Sequence, residues 1–388
     1  MQSKMKRMVL LMLVFGGMMN TTMAEDWMAQ LDDNTYWTQV SIPGTHDSAT
    51  GDGWPGLTTS LVGAAMAQTQ DLSIEQQLAC GVRAFDLRPC VSGNELVINH
   101  GILATNAKFA NTMRQLCQFV SSHPSEFVVV VMRHETDGDS NSDKWADMIS
   151  DCLNSDDILP QLAAYRRDLT VGELRGKVLV FSRDSYGSQP VGAFVTGWGH
   201  QADYVTASIR GTGRNIGTLY VQDFYEVLDN MTAKLNGIEK LLNFSTKNNV
   251  EQGTRHLTVC INHTSGYTQS ASTNGNKDNA AKCNQKVIDY LAVDTQAGPT
   301  GIVMMDFAGK DRSGSYDVKG LELVNTIINN NQRYTPAKKA DHSGIRQPDV
   351  DTEKSSPVYD LLGRKVQGLR QGTIVVDRQK IIKRSRQM

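Results

Sequence analysis

His46 and Asp47 close the segment S-I-P-G-T-H-D-S (41–48), and they are the first residues in the chain whose types could do chemistry together. An imidazole titrates near neutrality, so it can accept a proton in one step and give one up in another. Pro43-Gly44 reads as a turn that ends the strand before them. A lone histidine beside such a turn is more often structural, so His46 gains meaning only through partners. Ionisable or strongly polar groups follow a β-branched run seven more times. They are Asp86 and Arg88; His100; Arg133, His134 and Glu135; Arg183; Asp223 and Tyr225; Asn262 and His263; and Asp306. Two histidines, 46 and 100, with Arg88 between them, permit acid–base chemistry at a phosphodiester. One imidazole takes the proton of an attacking hydroxyl and the other protonates the leaving oxygen. A guanidinium can meet the negative charge that gathers on the phosphoryl oxygens with two donors. A carboxylate behind one imidazole would fix its tautomer and stabilise the imidazolium. Asp306 is the candidate, because the last strand of a closed barrel returns to the first.

These groups share one place only if the strands that carry them run parallel and close on themselves. Eight short runs, 38–43, 82–87, 96–99, 127–132, 177–181, 219–222, 257–261 and 301–305, are mostly continuous in apolar character. That is the pattern of parallel strands covered on both faces. Helical spacing lies between several of them. It places Phe109, Met113, Leu116 and Val120 on one face of 107–121, and Leu228, Met231, Leu235, Ile238, Leu241 and Leu242 within 227–244. The segments 145–153 and 321–328 read likewise. The expected class is α/β, a (β/α)8 TIM-type barrel with irregularities, whose strand ends crowd the C-terminal rim where active sites lie.

The ends of the chain have a different texture. Lys4, Lys6 and Arg7 precede an apolar run from Met8 to Met18, and Thr22-Met23-Ala24 follows, so 1–24 reads as a secretory signal peptide. The run is shorter than the ~20 apolar residues that span a bilayer. Without that leader the net charge falls from −2 to −5; residues 355–388 carry +6, which leaves −11 on 25–354. So acidic a body argues against nonspecific nucleic-acid binding and against simple electrostatic docking on anionic lipid. The barrel is expected over 25–334 and a linker over 335–353, where Pro336, Gly344 and Pro348 lie. A β-rich appendage of two or three short strands, too small for its own core, is expected over 354–388. Six cysteines without a CxxC pair permit disulfides and argue against a zinc site.

Six pieces in order, S-I-P-G-T-H-D-S (41–48), G-V-R-A-F-D-L-R (81–88), N-H-G (99–101), P-S-E-F-V-V-V-V (124–131), Y-V-Q-D-F-Y (220–225) and G-I-V-M-M-D-F (301–307), carry a family resemblance. Over about residues 30–330 the chain resembles the bacterial phosphatidylinositol-specific phospholipases C of the X-domain type. The resemblance implies cleavage of phosphatidylinositol to diacylglycerol and inositol 1,2-cyclic phosphate. His46 would be the general base on the inositol 2-hydroxyl, oriented by Asp306. His100, helped by Asp47, would be the general acid toward the diacylglycerol oxygen. Arg88 falls where metal-independent members hold an arginine and calcium-dependent relatives hold acidic ligands, so neither metal nor cofactor is expected; Asp86 would support Arg88. Arg133, Glu135, Arg183 and Asp223 would line the headgroup site, with Tyr225 beneath the sugar ring. Arg133 and His134 stand where lysine is commoner in the family, which bears on headgroup preference more than on reaction type.

The C-terminal V-Y-D-L-L-G-R-K-V, with the basic strand after it, resembles the sorting segment of type IX secretion substrates. The expected partners are therefore phosphatidylinositol or a GPI-type lipid at a membrane interface and a secretion machinery, with no nucleic acid. A secreted or surface-held monomer is expected. Two other functions fit the pattern. One is a metal-dependent glycerophosphodiester phosphodiesterase, which needs carboxylate ligands where Arg88 stands. The other is a non-catalytic inositide- or glycan-binding barrel. His123, His200, His256 and His342 have no motif around them and read as ordinary surface or core residues, and His263 stands outside the catalytic set. The stretch 57–66 beside Trp54 reads as core packing or as an apolar rim that touches lipid. The cysteines read as buried thiols or bridges rather than nucleophiles.

Overall fold

Every residue of the strand Val128–Met132 is buried, and its side chains divide by parity. Val128, Val130 and Met132 join one apolar cluster, with Leu116 and Val120 of the helix Phe109–Ser122 and Leu323 and Ile327 of the helix Gly320–Asn330. Val129 and Val131 join another with Ala84, Leu179, Phe181, Leu219, Val221, Ile261 and Met304. Successive side chains of a strand point to opposite faces, so the first cluster lies between sheet and helices and the second fills a closed barrel. This computed structural model describes residues 26–340, except 188–190, 214, 228–229, 250–252 and 268–274, together with 359–360, 375–377 and 380–382.

The strands through residue 305 are β1 (Ile42–Thr45), β2 (Ala84–Leu87), β3 (Pro89–Ser92), β4 (Glu95–His100), β5 (Leu103–Lys108) and β6 (Val128–Met132). They continue with β7 (Val178–Ser182), β8 (Ala193–Thr196), β9 (Val205–Arg210), β10 (Ile216–Gln222), β11 (Val259–His263) and β12 (Ile302–Met305). Nine of them close a barrel in the order β1-β12-β11-β10-β9-β8-β7-β6-β2. Neighbours are parallel except where β9 pairs antiparallel with β8 and β10. The expected α/β barrel is therefore present, with three local differences.

The expected third strand forms, as β4, but it pairs antiparallel with β3 and β5 in a sheet of its own. Only Arg88 separates β2 from β3, which leaves no length for the crossover that another parallel strand would need. The two-residue turn at Gly93-Asn94 is the hairpin signal for this excursion. The second difference is that β8 and β9 complete the barrel. In β9 buried Ala207 and Ile209 alternate with exposed residues, so a search for continuous apolar runs passes over it. Third, Pro43 and Gly44 lie inside β1 rather than at a turn after it. A Cβ on Gly44 would sit 2.7 Å from Met304 Sδ and 2.9 Å from Ala84 Cβ, so glycine there lets three strands meet. The bend comes later, at Asp47 (φ 43°).

Two of the quoted motifs prove to be joined below the site. Arg83 Nε lies 2.8 Å from Glu126 Oε2, both side chains are wholly buried, and Glu126 Oε1 accepts from Met28 N at 3.0 Å. Removing one partner of such a pair strands the other charge in the interior. Glu126→Ala is therefore expected to destabilise the barrel by about 3–5 kcal/mol in urea unfolding, with little change in the groups at the opposite end.

All six cysteines are free thiols. Burial pushes the Cys260 and Cys283 thiols up to about 12, which keeps them protonated and unreactive. Residues 341–388 form a second unit, in which Tyr359–Asp360, Val375–Asp377 and Lys380–Ile382 pair antiparallel in chain order. The leader 1–24, linker residues 341–353 and most of the sorting-like segment lie outside the described residues. No described helix is long and apolar enough to cross a membrane.

Candidate active site

The end of β1 is held by its neighbours as well as by its own turn, where Ser48 Oγ donates to Thr45 O at 3.0 Å. His46 N donates to Met305 O at 3.0 Å, and Gln70 Nε2 donates to the carbonyls of both His46 and Met305 at 2.9 Å. The next residue, Asp47, is left-handed, and so is Phe307, the residue after Asp306. Both strands thus turn sharply just past a residue of the site. Such conformations persist in non-glycine residues only where the surroundings enforce them, and they gather at functional sites.

The imidazole of His46 lies between two carboxylates. Its Nδ1 is 2.9 Å from Asp306 Oδ1 and its Nε2 is 3.2 Å from Asp47 Oδ2. Asp47, itself buried, is the hub. Its Oδ1 is 2.8 Å from Arg88 Nε, and its Oδ2 is 3.6 Å from His100 Nε2. Asp86 Oδ2 accepts from Arg88 Nη2 at 2.9 Å and from Asp47 N at 3.2 Å. Glu135 Oε2 is 3.7 Å from Arg88 Nη1, and Glu135 Oε1 accepts from Arg133 Nη2 at 3.2 Å. His100 Nδ1 is fixed by Ala67 O at 2.7 Å, so Nε2 is the ring atom left to face Asp47. The antiparallel excursion β3–β5 therefore returns His100 to the rim although β4 is not a barrel strand.

A cleft of about 180 Å³ opens over this cluster. His46, Arg88, His100, Arg133, Arg183, Asp223 and Tyr225 line it, together with His200 and Tyr267. Asp47, Asp86, Asp306 and Glu135 are buried behind this lining, where they set the charge and orientation of the groups in front. Glu135 in particular braces two arginines and does not face the cleft. His134 turns away, stacked on Trp145 at 4.4 Å and paired with Asp139.

Charge in the cluster follows from this geometry. Burial, the largest single influence on His46, pulls its pKa down, but Asp47 and Asp306 together outweigh it and raise the value to about 9. Burial likewise pushes the Asp306 carboxyl up, against the lowering effect of His46. Burial also opposes ionisation of Asp86, yet Arg88 and then His46 hold that carboxyl well below the usual range. His46 should thus titrate near 9 by ¹⁵N NMR, and Asp306→Asn should lower the midpoint by about one unit or more. An unmoved midpoint would mean that Asp306 does not set this charge. Because the folded value exceeds 6.5, His46 stabilises the fold fully below about 6.5, and this contribution fades as pH rises through 9.

Residues 40–184 match the family model for the phosphatidylinositol-specific phospholipase C X domain. Relatives match much of the chain outside that segment as well. A 1-phosphatidylinositol phosphodiesterase of Staphylococcus aureus (strain Newman) is 26% identical over 317 residues, which cover 79% of this chain and 94% of that protein. A Listeria monocytogenes enzyme of the same name is 29% identical over 166 residues, 42% of this chain and 50% of its own. Crystal structures of phosphatidylinositol-specific phospholipase C share the fold. That of a pentafluoro-Phe-substituted S. aureus form superposes with TM-score 0.64 at 22% identity, over 80% of this chain and 99% of its own. The L. monocytogenes form gives 0.59 at 23%, over 79% and 98%. The matched segment holds His46, Asp47, Asp86, Arg88, His100, Arg133, Glu135 and Arg183, while Asp223, Tyr225 and Asp306 come from the part of the barrel that follows it.

Several residues of the site carried no sequence signal. Trp198 and His200 follow β8, one of the two strands the run pattern missed, and reach the rim with it. Buried His263 stands edge-on to His46, with ring centroids 6.0 Å apart, and burial holds it near 4, so it is neutral. Unlike Trp198 and His200, His263, the last residue of β11, was marked by its strand-end position, although it stands outside the catalytic set. Thr69, Tyr267 and Asn276 also line the cleft, from loops whose composition does not mark them.

Proposed function

We propose that this chain is a phosphatidylinositol-specific phospholipase C that releases inositol 1,2-cyclic phosphate and diacylglycerol. The observation that supports it is the convergence of two imidazoles and one guanidinium on the Asp47 carboxylate, at the wall of a cleft lined by three arginines. In the neutral form His46 takes the proton of the inositol 2-hydroxyl as the 2-oxygen bonds to phosphorus. His100 gives its proton to the glycerol oxygen as the phosphorus–oxygen bond to glycerol breaks. One proton enters the protein and one leaves. Arg88 meets the charge on the non-bridging oxygens, and Asp86 and Glu135 hold it in place. In the empty site His46 is mostly protonated at neutral pH, which adds to Arg88 in drawing in the anionic phosphodiester.

His46, Asp47 and Asp86 offer ligand atoms within 4.8 Å of one another, the one such cluster among the described residues. Arg88 already contacts both carboxylates, and a divalent ion there would meet its repulsion. The reading is therefore a metal-independent lyase. Arg133, Arg183, Asp223 and Tyr225 would hold the inositol ring. Leu57, Leu61, Met66 and Ile102 are exposed apolar side chains, and Ala67, the cap of the helix Leu57–Met66, bonds His100. That apolar surface would meet the lipid, with the leader and tail serving export. ³¹P NMR of phosphatidylinositol micelles with protein and chelator tests the proposal. A five-membered cyclic phosphate is expected as the first product, at an undiminished rate. An open monoester appearing first, or a rate lost to EDTA, would overturn it.

A further inference from the structure

The two strands that interrupt the parallel order bring a histidine to the headgroup side of the cleft. Because β9 runs antiparallel, the connection from the end of β8 to the start of β9 lies on the rim where the parallel strands end. Trp198 and His200 lie in that connection. His200 touches each of three residues expected to hold the inositol ring. Its Nδ1 lies 3.1 Å from Asp223 Oδ2 and 3.1 Å from the Asp223 carbonyl. Its Nε2 lies 3.3 Å from Arg183 Nη2. Its ring meets Tyr225 edge-on, with centroids 5.0 Å apart at 88°. A guanidinium only donates, so Nε2 is the acceptor in this contact and Nδ1 carries the ring proton to Asp223. That tautomer satisfies both partners at once. Trp198 completes the arrangement: its Nε1 donates to Asp223 Oδ2 at 2.8 Å, and the Arg183 guanidinium lies 4.4 Å above its ring.

We propose that His200 is the positioning and specificity residue of the headgroup site, aligning Asp223, Arg183 and Tyr225 as one preorganised wall for the ring hydroxyls of a cyclitol. This rests on the phospholipase reading above. Asp223 and Arg183 carry opposite charge, yet their nearest atoms are 3.9 Å apart. His200 contacts both and so holds this long ion pair in one arrangement, with both side chains at the cleft where a polyol would bind. The imidazole is partly exposed to the cleft, so it can also contact the ring directly. Tyr225 gains its orientation from the same ring edge. The contacts of His200 are with Asp223, Arg183 and Tyr225 rather than with Asp47, His100 or Arg88, so its loss should weaken ring binding and leave the chemical step in place.

Kinetics on monomeric dihexanoyl-phosphatidylinositol, below its micelle concentration, tests this. His200→Ala should raise KM by about tenfold or more, the worth of a hydrogen bond to a charged group, while kcat stays within about threefold. His200→Asn, whose amide can donate to Asp223 from near the place of Nδ1, should restore KM to within about threefold of the parent. His200→Phe keeps the ring beside Tyr225 but neither nitrogen, and should not restore it. Thermal unfolding within a few degrees of the parent, expected for a partly exposed loop residue, shows that each variant is folded. An unmoved KM in His200→Ala, a Phe variant as good as Asn, or a fall in kcat at constant KM would overturn the inference while the phospholipase reading stands. A parent protein that does not cleave the lipid at all would overturn both.

Discussion

Replacing His46 with alanine should lower turnover of phosphatidylinositol by about 10³- to 10⁴-fold, toward the upper end for removal of a general base. The inositol 2-hydroxyl is a poor nucleophile until its proton leaves, and among the cleft-lining imidazoles only this one is flanked by two carboxylates. Alanine also leaves the buried Asp306 carboxylate without its imidazole partner, so part of the loss would come from a weakened fold. His46→Asn separates the two effects, since its amide can still donate to Asp306 but cannot accept the proton. Both variants should be equally inactive, with the asparagine form the more stable in urea. Substantial turnover by either would show that the base is elsewhere.

Arg88→Lys should lower kcat by about 10²- to 10³-fold, although the charge is kept. The guanidinium spans three carboxylates: Asp47 at 2.8 Å, Asp86 at 2.9 Å and Glu135 at 3.7 Å. That leaves its plane fixed toward the cleft. An ammonium group is a single point of charge and cannot reach all three carboxylates while presenting a donor to a phosphoryl oxygen. Arg133→Lys makes the control. Arg133 contacts one carboxylate and is partly exposed, so the same exchange there should act on KM and by about tenfold at most. Equal effects at the two positions would mean that Arg88 supplies general positive potential only.

How much of this was legible in the sequence depends on what each residue has to satisfy. Strands covered on both faces show as mostly apolar runs, and seven of the barrel's nine were found from such runs. Of the other two, β8 is only four residues long, A-F-V-T between two glycines, and β9 shows an alternation that a search tuned to parallel strands discards. The same omission hid Trp198 and His200, because a residue on an unrecognised rim loop has no reason to be noticed. β4 was recognised as a strand but given the wrong neighbours, since one residue between β2 and β3 decides pairing and composition does not. Pro43-Gly44 carried the usual turn signal, yet Gly44 answers to a packing contact across three strands that no local reading can contain. Chemistry restricts the types of candidate site residues, and the fold brings His46, Arg88, His100 and Asp306 together around Asp47 or against it. Glu135 was placed near the right groups, but its burial behind two arginines emerges only in three dimensions.

The assignment of one imidazole to each end of the reaction is tested most directly by changing the leaving group. In inositol 1-phosphate esterified to 4-nitrophenol the leaving group, 4-nitrophenolate, departs as a stabilised anion and needs little protonation, whereas the glycerol oxygen of the lipid needs a proton as it leaves. Rates of His100→Ala and His46→Ala should be measured on both substrates under identical conditions. With 4-nitrophenolate leaving, His100→Ala should recover to within about tenfold of the parent, while His46→Ala stays impaired by about 10³-fold. Equal losses for His100→Ala on the two substrates would contradict the division of labour, and so would recovery of His46→Ala.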